Sequence, residues 1–370
     1  MRLILSAALV LLSGCSLLGQ RSQPDENQAV RATEISQISN AEKVLNSGSF
    51  EQSLILYKEF QGLHPQSTFV QAARLGEAQS LAGLERWQEA LELYRDVAVK
   101  TRNYQPQIAA QALYRMSFAY EAQGDDLRTV SSLLDAKKLG QYLPLETAAA
   151  EIPARLAIVY GRQDREDEAV AYLNEAERGI EKVQAEKGPE LPKEWLAKTY
   201  VQMGGVSTNQ LGVQNFQAFV RGQKLVQIYL FRAVRLNDAN WSTRAKTRLQ
   251  ETYRDLFTVV DSQREQRRLQ SALGAELLGL MDQAELYKPL GGQKMNSHET
   301  EFFAFLADVR KKTENIVYTN DEVMGLTEES QRLNSLRRSG RVKADSLLPD
   351  EEKATIPLPP KVVPSEDPNL

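Results

Sequence analysis

The sequence predicts an all-α chain assembled from antiparallel helical hairpins. Three observations carry that prediction. Apolar residues recur at spacings of three and four through most of the chain. The period-two alternation of a half-buried strand is scarce. A pattern of aromatic and small residues returns at intervals of 37 to 40 residues, as expected of stacked helical repeats.

The elements follow from the N-terminus. Met1 and Arg2 precede an apolar run over 3–12, broken only by Ser6. A span needs roughly 20 apolar residues to cross a hydrocarbon core of about 30 Å, so this run reads as the apolar centre of a secretory signal. Leu12-Ser13-Gly14-Cys15 resembles the bacterial lipobox, a branched apolar residue and two small ones before cysteine. The resemblance implies that 1–14 are removed and that Cys15 is acylated and anchored in a membrane. Cys15 is the sole cysteine, so neither a disulfide nor a thiolate metal cluster can form. Ser16 follows it; in Gram-negative lipoproteins an Asp there favours the inner membrane, so the resemblance implies the outer membrane, with the body facing the periplasm. Multiple acyl chains, at about 0.8 kcal/mol per buried methylene, give stable anchoring. Residues 15–33 read as the lipidated cysteine and a polar tether.

Residues 34–183 carry the repeat as four hairpins. Phe50, Ser53 and Tyr57 are matched by Trp87, Ala90 and Tyr94, each 37 residues on. A third copy has Met116-Ser117, Tyr120 and Gly124, then Thr129, Leu133 and Ala136. A fourth has Leu156-Ala157 and Tyr160, then Ala169, Leu173 and Ala176. In these two copies the small residues of the paired helices stand twelve apart. In the second hairpin the matching small residue is either Ala78 or, with two extra residues, Gly76 of Leu75-Gly76. This pattern resembles the tetratricopeptide (TPR) repeat, whose small residues let two helices approach while large ones fill the gaps between hairpins. Pro65 sits where that repeat often places proline.

Residues 184–340 read as a divergent helical extension that continues or caps the array. Trp195-Leu196-Ala197 with Tyr200 and Gly204 matches the first helix of a fifth hairpin, whose partner begins near Phe216 after an insert at 204–215. Residues 216–236 predict a helix buried on a wide face. Further helices are expected over 241–260, 265–286 and 296–316, the last opened by an Asn296/Glu299 capping box. A final helix is expected over 321–339, stopped by Gly340. Residues 341–370 hold a run of prolines that cannot join a helix, and read as a disordered or polyproline-like tail.

Function classes narrow by exclusion. With 45 basic and 49 acidic side chains, no basic field marks a nucleic-acid binder. The two histidines, His64 and His298, belong to no HExxH motif, and His64 reads as a solvated turn residue. No phosphate-binding loop, dinucleotide fingerprint or nucleophile elbow occurs. Ala275 to Met281 faintly resembles an element of lytic transglycosylases, but Glu276 is only three residues before Gly279; an amphipathic helix with Leu277, Leu280 and Met281 inward explains it better. Arg264, Arg267 and Arg268, and Arg332, Arg337, Arg338, Arg341 and Lys343, read as solvated faces or helix ends. No catalytic residue, metal ligand, cofactor or small-molecule substrate is expected.

The lipobox and TPR resemblances together imply a protein–protein interaction scaffold whose partners are other envelope proteins. The chain resembles the BamD-like class of outer-membrane TPR lipoproteins, which help insert β-barrel proteins, although it is longer than that class. A pilus, secretion or gliding-motility lipoprotein is the alternative, and a peptidoglycan-active enzyme the competing class. In TPR arrays the first helix of each hairpin lines a groove. The resemblance therefore implies a partner-binding set of Tyr114, Phe118 and Glu121 with Ile158 and Arg162. Tyr114 and Phe118, four apart, share one helix face. Burial of this aromatic pair against a neighbouring hairpin is the competing expectation.

Overall fold

The computed structural model describes residues 26–206, 211–289 and 294–323. The described residues form thirteen α-helices with short 3₁₀ and π-helical turns, and no strand among them. The all-α, TPR-like hairpin fold is therefore as the periodicity predicts. The chain divides into two compact units, 1–97 and 98–370.

The first unit contains α1 (Glu26–Asn46), α2 (Phe50–Leu63), α3 (Val70–Gly83) and α4 (Trp87–Thr101) as far as Val97. Ala41, Tyr57, Phe60 and Ala73 form its core. Helix α1 begins inside the stretch read as tether, so 26–33 are helical. Ile38, Ala41 and Leu45 dock the second half of α1, and a docked helix propagates outward at little further cost once nucleated. His64 is no solvated turn residue. Its Nε2 lies 2.8 Å from Gln37 Oε1 and its Nδ1 3.6 Å from Glu34, tying the end of α2 to α1.

The second unit contains α5 (Pro106–Ala122), α6 (Asp126–Lys138), α7 (Ile152–Arg162), α8 (Glu166–Lys187), α9 (Lys193–Met203), α10 (Phe216–Arg235), α11 (Trp241–Ser262), α12 (Arg267–Glu285) and α13 (Ser297–Val323). They lie in two rows. Packing joins α7 to α9, α9 to α11 and α11 to α13, and Arg155 of α7 bonds to Ser117 and Glu121 of α5. In the other row Lys137 of α6 meets Glu175 of α8, Arg232 of α10 meets Glu177 of α8, and Gln227 of α10 meets Gln283 of α12. The predicted extension thus continues the alternating stack through Val323, and its apolar side chains join one core with those of α5–α8.

The repeat is written into the backbone. Gly48, Glu85, Gly124 and Asp164 all adopt positive φ, each seven residues after a small residue, Ala41, Ala78, Ser117 or Ala157. All four small residues are buried. The shared register makes Ala78 the packing residue of the second hairpin; Gly76 instead lies against the Tyr57 ring. Each positive-φ residue closes a Schellman turn, with Ser49, Arg86, Asp125 and Arg165 donating to the carbonyls of Val44, Leu81, Tyr120 and Tyr160. The donor also stands at or beside the start of the next helix, which is why the turn is so short. Glu85 and Asp164 hold a left-handed conformation that costs a non-glycine residue roughly 1–2 kcal/mol. Asp164→Gly should therefore raise stability by about 0.5–1 kcal/mol, read as a higher urea midpoint at unchanged slope.

The capping box forms as predicted: Asn296 Oδ1 accepts from the Glu299 amide and Glu299 Oε2 from the Asn296 amide, both at 2.9 Å. Leu277, Leu280 and Met281 are buried in α12. Helix α13, however, shows no break between 316 and 321. Asn320 donates to Gln270 and Asp321 accepts from Ser271, so the join between the two expected helices packs on α12 as continuous helix. Arg267 and Arg268 stand exposed in the first turn of α12, the end where the helix dipole disfavours cations. Cys15, the signal, the last predicted helix beyond Val323, the second basic cluster and the tail lie outside the described residues. No described helix is long and apolar enough to cross a membrane.

Candidate functional site

The predicted groove residues lie on α5 and α7, and the structure brings them together with three residues not foreseen: Glu151, Arg155 and Trp195. Arg155, in α7, is only 3% exposed. Its guanidinium lies 3.6 Å from the Phe118 ring centroid. It donates at 2.6 Å both to Ser117 Oγ and to Glu121 Oε2. Glu121 also accepts from Arg162 at 3.2 Å, and Arg162 donates to Asp126 Oδ1 at 2.6 Å. Burial alone would lower the Arg162 pKa, but the bonds and charges of Asp126 and Glu121 outweigh it and raise it. This ladder ties α7 to α5 and to the start of α6.

The aromatic pair is split between the two expectations. Tyr114 and Phe118 meet edge to face at 5.1 Å, yet Tyr114 is 8% exposed and Phe118 37%. The Tyr114 hydroxyl donates to Glu151 Oε2 at 2.5 Å, and burial followed by the Glu151 charge pushes its pKa up. Tyr114 is therefore an inter-hairpin packing residue and not a free anchor, because Glu151 from the next hairpin satisfies its only polar atom. Ile158 is half-buried against the core. Phe118 and Arg162 remain as the exposed members, with Glu121 beneath them.

Glu151 extends the contact to a third hairpin. Its other oxygen, Oε1, accepts from Trp195 Nε1 at 2.6 Å. Two of the three unforeseen residues share a repeat position: Arg155 and Trp195 stand two places before the small residues Ala157 and Ala197. From that position Arg155 and Trp195 each bond to the preceding hairpin, whereas Arg115, two places before Ser117, is exposed. What the arrangement offers chemically is an exposed ring edge backed by a guanidinium, beside an arginine and a carboxylate. These groups lie on an open surface of α5 and α7, where Phe118 and Arg162 are exposed.

No protein-family model matches the chain, and no curated protein matches it. Among solved structures it is similar to a Podosopora anserina kinesin-light-chain-like protein of nearly identical TPR-like repeats, at 18% identity over 54% of this chain and 93% of that one, with a TM-score of 0.39. A single-substitution variant of that protein is similar at 19% identity over 53% and 95%, with a TM-score of 0.36. The TPR-like character of the present chain stands on its own hairpins.

Proposed function

We propose that the chain is a lipid-anchored scaffold of the bacterial cell envelope that captures another protein on the surface shared by α5 and α7. The observation that carries this reading is the exposure of Phe118 and Arg162 on consecutive first helices, fixed from behind by Arg155 and Glu121. A pre-organised aromatic edge beside a charge is the kind of anchor that dominates protein interfaces. The anchoring rests on Leu12-Ser13-Gly14-Cys15, and Ser16 favours the outer membrane. Within that compartment, assistance to outer-membrane protein assembly is the role proposed, by resemblance of lipobox, tether and hairpins to the BamD-like class.

Cys15→Ala tests the anchor. In cells fed a labelled fatty acid, the native chain should carry label and sediment with outer membranes. The variant should carry none and leave the membrane fraction. An unlabelled native chain, or a variant still membrane-bound, would contradict a lipid anchor.

A further inference from the structure

Helix α7 is the continuation of a π-helical turn, Thr147–Glu151, in which the Ile152 amide donates five residues back to Thr147 O. Its cause is two residues further on. Pro153 has no N–H, so the Ala149 carbonyl cannot receive the bond that an α-helix would give it. Widening the helix by one residue accommodates the missing donor. The freed Ala149 carbonyl lies against Gly179 of α8, where a Cβ would stand 1.8 Å from the oxygen. Only a glycine admits that approach, which suits a Cα–H···O contact.

The bulge lets one helix serve two directions. An extra residue rotates the preceding turn by about 100° relative to the rest. Glu146, before the bulge, is thereby paired with Lys187 of α8. Glu151, at its end, stays in line with Arg155 four residues later and points toward α5 and α9. There it is the single acceptor for two donors from different hairpins, Tyr114 on one side and Trp195 on the other.

We propose that Glu151 is a latch setting the spacing of three consecutive hairpins, and that Pro153 and Gly179 are its positioning residues. The latch rests on these bonds and needs no partner; that it presents Phe118 to a partner rests on the docking reading above.

The test uses the full chain carrying Cys15→Ala, with spin labels at Arg115→Cys and Lys198→Cys, both exposed sites on α5 and α9. Glu151→Leu removes both acceptor oxygens at similar size. The Trp195 indole N–H, assigned by its loss in Trp195→Phe, should then exchange with solvent about tenfold faster or more, as the loss of a charge-assisted bond implies. The distance distribution between the labels should broaden. Pro153→Ala, which restores the missing amide, should move the same two readings in the same direction while leaving Glu151 in place. Should Glu151→Leu fail to fold, Glu151→Gln keeps one acceptor oxygen for two donors and should give a smaller change of the same sign. Unchanged indole exchange in folded variants would overturn the proposal. So would faster exchange with an unchanged label distance, since Glu151 would then join side chains without setting the spacing. Neither reading depends on a partner, so this failure is distinct from failure of the docking surface.

Discussion

A Phe302→Ala protein is expected to lose about 3–5 kcal/mol of unfolding free energy, the cost of truncating a fully buried phenylalanine. Phe302 lies at the meeting of three helices. Its ring is 5.3 Å from Phe231 in α10, 5.9 Å from Tyr253 in α11 and 5.3 Å from Phe303 beside it. The Tyr253 hydroxyl is itself held by Gln227 at 2.9 Å, so the neighbouring rings cannot easily collapse into the space vacated. In a stack whose members touch only their neighbours, amide protection should fall first in α10–α13 and less in α5 and α6. Urea titration with hydrogen exchange reads both quantities. A loss below about 1 kcal/mol would mean that the extension is not packed as the second-row and first-row contacts imply.

Arg155→Ala is the second large effect, expected at about 2–3 kcal/mol. Breaking a buried charge pair costs roughly 3–5 kcal/mol. Glu121 is partly exposed and keeps Arg162 as a partner, which brings the cost to the lower end of that range or just below it. The substitution also strips the cation from the Phe118 face and leaves Ser117 without its guanidinium donor. Arg155→Lys should recover only part of the loss, because an ammonium can neither lie flat on the ring nor reach Ser117 and Glu121 as a fork. Equal stability of the lysine and native proteins would show that charge, and not stacking, is what the site uses.

Much of this architecture was legible in the residue pattern. The small residues Ser117, Thr129, Ala157 and Ala169 were recognisable because helix-to-helix approach depends on one side chain each, repeated at fixed spacing. The capping box at Asn296 was legible for the same reason, since both partners lie within four residues. Glu151, Arg155 and Trp195 were not, because their bonds join residues 34 to 44 positions apart and no local motif records such a pairing. For Tyr114 the sequence leaves surface and interface both open, because an aromatic pair at i and i+4 has the same spacing in either. Its hydroxyl is held by Glu151, a residue of the following hairpin. The start of α1 was missed because its polar residues are carried by a helix docked further on, and the continuity of α13 because no local signal marks the bonds of Asn320 and Asp321 to α12.

Site-specific photocross-linking in living cells tests the scaffold reading most directly. A benzoylphenylalanine placed at Phe118 or Arg162 reports on the first-helix surface; the same group at Lys138 or Asn174, both exposed on second helices, serves as the control. The account predicts one discrete cross-linked protein, common to positions 118 and 162 and absent from 138 and 174. No adduct at 118 and 162, or the same adduct at all four positions, would contradict it.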